Sequence, residues 1–182
     1  MTPSLTDVRR AGTLGVVGGL SYFAAGVRMW FFGAHQDRLT DALAIVWALC
    51  WVMAGLALLK LRVTGRSLAA RAVSLTLIIG FGAAGLYGVH RLIDPPGANR
   101  GPLSIAPLIV VLAMIGTGAL SLSAAPWRGW RRGLPLFIAV VYVTAIVITG
   151  VTATVTLPYA FTMAGLGYVL LGAAIRQTAA VS

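Results

Sequence analysis

Side chains able to move a proton or hold a metal are scarce in this chain, and both histidines and three of the four aspartates fall in two short stretches, 26–41 and 90–94. The first reads GVRMWFFGAHQDRLTD and holds Arg28, His35, Asp37 and Asp41; the second holds His90, Arg91 and Asp94. Imidazole and carboxylate together are the donor set of a divalent-metal site or a proton relay. The spacing does not single out either. Asp37 and Asp41 are four apart, as are His90 and Asp94, so each pair can share a helical face. Each residue also has a structural reading. Asp41 suits the positive end of a helix dipole, and Asp37 or Thr40 suits the cap before it. His90 and Arg91 suit a helix C-terminus, and Asp94-Pro95-Pro96-Gly97 reads as a stop and a turn. Capping outweighs ligation, so no metal site, cofactor or catalytic residue is assigned.

Arg28 lies five positions before Gly33, about 7 Å below a helix end at ~1.5 Å per residue. It either pairs with Asp41 or Asp37 as the floor of a polar cavity, or lifts its guanidinium to the interface beside Trp30. Its shallow depth slightly favours the second. Trp47 and Trp51 are four apart, beside the single cysteine Cys50, and share a helical face. They would wall an apolar pocket or simply pack; packing is the commoner use of such a stripe. Cys50 reads as an inert buried thiol, and one cysteine excludes an intramolecular disulfide. The candidate ligand-binding set is therefore Arg28, His35, Asp37, Asp41, Trp47, Trp51, His90 and Asp94.

The elements that must position these residues follow from composition. Hydrophobic residues make up 59% of the 182 and charged residues only 10%, with a mean hydropathy of +0.92. A soluble chain could not cover its core with so little polar surface. Apolar runs at about 11–33, 42–61, 68–90, 103–124, 134–151 and 157–175 each approach the ~20 residues that cross a bilayer. The last two form a chargeless stretch that as one helix would be twice the bilayer thickness. It must fold back, and Thr152-Ala153-Thr154-Val155-Thr156-Leu157-Pro158 is the expected turn. The expectation is an all-α polytopic bundle of six transmembrane helices in a single membrane domain, 1–182. The first helix follows Arg9 and Arg10 without a cleavage pattern and is expected to be a retained anchor.

Arginine and lysine fall mostly on alternate loops. Ten (Arg9, Arg10, Lys60, Arg62, Arg66, Arg71, Arg128, Arg131, Arg132, Arg176) lie on the side of the N-terminus, against Arg38, Arg91 and Arg100 opposite. The positive-inside rule then predicts both termini inside and the His/Asp stretches outside. Trp127 and Trp130 would anchor the inner interface, and Trp30, Phe31 and Phe32 the outer. The net charge of +10 is spread over short loops that suit anionic lipid, so membrane lipids are expected partners and nucleic acid is not.

Gly80, Gly82 and Gly85 spell G-x-G-x-x-G inside an apolar span, where no strand-to-helix turn exists to make a dinucleotide site. With Gly88, Gly15, Gly19, Gly165, Gly167 and Gly172 they read as helix-packing positions. Segments 23–33 and 123–133 share Ala, Arg, Trp and Gly in register, a thin sign of an inverted repeat. Glutamate is absent, no nucleophile elbow or H-E-x-x-H occurs, and no acid lies near the midplane to drive a coupled carrier. The expectation is a small non-catalytic membrane protein of the bacterial cytoplasmic membrane. It would be a ligand-binding or accessory subunit of a transport or other membrane assembly, with a protein subunit, a second copy or a small molecule at the outer face as partner. The alternative is a membrane-embedded enzyme acting on a lipid or lipid-linked substrate at the outer leaflet.

Overall fold

The computed structural model describes residues 5–32, 37–94, 105–123, 127, 129–152 and 157–181. They form six helices: α1 Leu5–Phe32, α2 Arg38–Lys60, α3 Leu68–Ile93, α4 Ala106–Ser123, α5 Leu134–Thr152 and α6 Leu157–Val181. A 3-10 turn, Gly129–Gly133, precedes α5, and no strand occurs among the described residues. All six helices are long and apolar enough to cross a membrane, so the chain is an all-helical, multi-pass membrane protein. Residues such as Leu49, Met53 and Leu56 on α2 and Leu75, Ile79 and Leu86 on α3 are exposed at helical spacing, as a lipid-facing surface requires.

The helices outrun several of the apolar stretches. α1 begins at Leu5 rather than near 11, α2 at Arg38 rather than 42, and α6 continues past 175 to Val181. Apolarity marks the length in hydrocarbon, whereas backbone hydrogen bonding continues into polar residues such as Asp7, Arg9, Arg10 and Gln177. Asp37 caps α2, accepting from the Thr40 N–H at 2.9 Å, and Ser67 caps α3, accepting from the Ala70 N–H at 3.1 Å. The threonine-rich turn between α5 and α6 lies largely outside the described residues.

Successive helices pack side by side, and α6 closes the bundle by packing most extensively against α1. That seam is made of glycine. A Cβ on Gly12, Gly19 or Gly26 would lie within about 2.6 Å of the backbone of Arg176, Val169 or Thr162, and one on Gly165 within 2.5 Å of Phe23. Each step along α1 meets an equal step back along α6, so the helices are antiparallel and both described chain ends lie at one end of the bundle. Gly80, Gly85 and Gly88 likewise meet Val110, Ala48 and Ile45. Gly82 departs from the expectation: nothing lies within 4 Å of a Cβ there, because it faces away from both neighbours.

The end that carries the chain termini is basic. There α2 closes in a Schellman turn, with Arg62 N–H donating to Leu59 O at 3.2 Å and Val63 N–H to Leu58 O at 3.3 Å, while Val63 and Leu58 are buried together. Arg62 occupies the left-handed position at φ 52°, where glycine is usual and an L side chain costs roughly 1–2 kcal/mol. Trp127 differs from its expected role as an interfacial anchor. It is buried, its Nε1–H donates to Thr178 Oγ1 at 3.1 Å, and its carbonyl accepts from Arg132 Nε. The ring pins the α4–α5 connection to the end of α6, while Trp130 is exposed.

Candidate functional site

At the opposite end, the expected cluster resolves into pairs. Arg28, in the last turns of α1, donates Nε–H to both Asp37 oxygens at 3.2 and 3.0 Å, and its Nη2 also contacts Oδ2. Its guanidinium lies 4.7 Å from the centre of the Phe32 ring. Asp37 also accepts from the Thr40 hydroxyl at 2.8 Å, so one carboxylate caps α2 and ties it to α1. The Arg28 guanidinium, then the Thr40 N–H and hydroxyl, hold the Asp37 carboxyl well below the usual carboxylate range. Both readings of Arg28 are thus partly met: the charge rises to an accessible level and finds an acid there.

Asp41 does not join Arg28. It is buried on α2 and pairs with Arg91 of α3, Oδ1 to Nε at 3.1 Å. His90 Nδ1 pairs with Asp94, which is also the C-cap of α3. His35 lies outside the described residues. Among those described, no three His, Cys, Asp or Glu residues come together in a way that could hold a metal ion. The geometry amounts to two interhelical clamps, α1 to α2 and α2 to α3, and one local pair on α3.

Below the clamps lies an aromatic core. Tyr22 of α1 is stacked between Trp47 of α2 and Phe161 of α6, with ring centroids 4.3 Å away on each side. Tyr168 of α6 meets Trp51 at 4.8 Å and Trp47 edge-on at 5.4 Å, and Phe81 of α3 closes on Trp47 at 5.2 Å. Tyr142 of α5 reaches Tyr22 at 6.4 Å. Trp51, Tyr168 and Phe81 are fully buried. Aromatic pairs in these stacked and edge-on arrangements add about 0.5–1.5 kcal/mol each beyond area burial.

The polar atoms of this core are not all matched among the described residues. The indole N–H groups of Trp47 and Trp51 are buried without a hydrogen-bond partner among the described residues. The tyrosines can turn their hydroxyls towards one another, but an indole N–H only donates. A buried donor without an acceptor costs about 1–3 kcal/mol.

Sequence reasoning found the two tryptophans and missed most of what surrounds them. Tyr22, Phe81, Tyr142, Phe161 and Tyr168 are aromatics scattered through separate apolar runs, with no local pattern that links them. Arg91 was legible only as a cap. Aligning α2 antiparallel to α3 through Ala48–Gly85 and Ile45–Gly88 would have brought it to Asp41. No known protein family, curated protein or solved structure matches the chain.

Proposed function

We propose that the protein is a non-catalytic multi-pass membrane protein that binds a small ligand in its aromatic core. It serves as a ligand-binding or accessory subunit of a membrane assembly, transport being the leading case. The observation that carries this reading is the pair of indole donors, Trp47 and Trp51, that meet no acceptor among the described residues and lie among rings from five helices. Flat apolar faces with a few fixed donors suit a small, largely apolar molecule bearing hydrogen-bond acceptors. The paired charges above the core form its rim. The split of basic residues supports a chain with both termini in the cytoplasm, placing the rim outside, and a bacterial cytoplasmic membrane suits that arrangement.

The enzyme reading has less support. The chain holds four aspartates and no glutamate, and each aspartate already has a partner. Its best remaining group is His90, held by Asp94.

Native mass spectrometry of full-length protein extracted gently from its own membrane tests the proposal. The expected result is a small molecule retained beyond the 18.9 kDa chain and lost in Trp47→Phe and Trp51→Phe, which keep the ring and remove the donor. Bare chain in every preparation, or retention indifferent to both substitutions, would refute it.

A further inference from the structure

A second site lies at the basic end, away from the aromatic core. The α2–α3 turn encloses a cavity of about 370 Å³ whose lining includes Lys60, Arg62, Thr64, Ala70 and Arg71. Its polar floor is fixed: Thr64 Oγ1 donates to Ala70 O at 3.2 Å, Ser74 Oγ donates to the same carbonyl at 2.9 Å, and the two hydroxyl oxygens are 3.1 Å apart. Leu59 and Leu75 supply an apolar wall.

Three cations line one cavity, no carboxylate lines it, and no ion pair among the described residues engages them. Like charges that line one cavity repel one another, and an anion between them relieves the repulsion. The backbone adds an independent sign. Arg62 holds the left-handed position of the turn, which glycine would occupy without strain. Strain of this kind persists where the side chain has a use. Lys60 is the last residue of a membrane-spanning helix and Arg71 lies in the first turn of the next, so the cavity sits at the level of lipid phosphates.

We infer that this cavity binds a phosphate group through Lys60, Arg62 and Arg71. The apolar wall and the depth favour the headgroup of an anionic phospholipid as the source over free phosphate.

The test uses full-length protein in detergent. It is titrated with short-chain phosphatidylglycerol, with phosphatidylcholine of equal chain length, and separately with inorganic phosphate. Lipid uptake is read by native mass spectrometry and phosphate uptake by phosphorus NMR. Saturable retention of phosphatidylglycerol over phosphatidylcholine is expected, weakened about fivefold by Arg62→Gly or Arg71→Gln. The exposed pair Arg9→Gln/Arg10→Gln should leave it unchanged. Arg62→Gly removes charge and strain together, so its thermal midpoint should hold or rise, separating lost binding from lost folding. Saturable uptake of inorganic phosphate, abolished by the same substitutions and without lipid preference, would uphold the phosphate site and assign it to the soluble anion. Absence of saturable uptake of either probe, or equal weakening by the Arg9/Arg10 substitutions, would overturn it.

Discussion

Asp37 shows how much one side chain does at the rim. Its carboxylate caps α2 and holds Arg28 of α1, so protonating it releases two helices at once. Because its acidity in the fold is stronger than in the unfolded chain, its contribution is fully present above the ordinary carboxylate pKa, about 3.9. That contribution is lost only as pH falls towards the lower folded value. A titration followed by carbon NMR of labelled aspartate should show Asp37 still ionised near about pH 3, where an ordinary aspartate is mostly protonated. Arg28→Gln should return it towards the ordinary range. An Asp37 that titrates normally in the unsubstituted protein would show that the pair is not held in solution. The sequence made Arg28, Asp37 and Asp41 visible as charges in an apolar chain, but not their pairing. Pairing depends on which helix faces turn towards each other, and Asp37 and Asp41 lie on adjacent turns with nearly equal claims.

At the scale of elements, glycines that look alike in sequence have opposite roles. Gly19 lets α1 approach α6 until a Cβ would lie 2.4 Å from the Val169 nitrogen, whereas a Cβ on Gly82 meets nothing. Gly19→Ala should force the helices apart and lower the thermal midpoint measured in detergent. Gly82→Ala should be neutral or stabilising, by up to about 0.5–1 kcal/mol from helix propensity alone. Equal responses would mean that the α1–α6 seam is looser than the structure has it. Span number was legible because hydrocarbon thickness sets a length that composition reports directly. Helix ends were less so, since Asp7, Arg9 and Gln177 continue a helix as readily as they end a span.

For the whole molecule, the difference between the two ends matters most: three ion pairs lie at one, and at the other three cations that no ion pair among the described residues engages. Lys60, Arg62 and Arg71 flank one end of the bundle, while Asp37, Asp41 and Asp94 hold their partners at the opposite end. Reporter fusions should therefore place the α2–α3 turn in the cytoplasm and the α1–α2 connection outside. The reverse assignment would move the rim to the cytoplasmic side. That the two ends of the bundle differ in charge was readable from sequence, because the basic residues fall on alternate loops. The aromatic core was not readable, since it is assembled from five helices by a bundle geometry that no single segment encodes.

The closure of α6 on α1 has a consequence for how the protein is made. The most extensive seam of the bundle joins α1 and α6, so α1 enters the membrane with its glycine face unmatched and waits until α6 is made. At ribosomal speeds of about 5–20 residues per second that wait is on the order of ten seconds or more. During that interval the nascent chain holds an open groove that another small-residue helix can enter. Biogenesis is therefore the stage at which this fold is most open to a wrong partner, and the insertion of α6 is the step that ends the exposure.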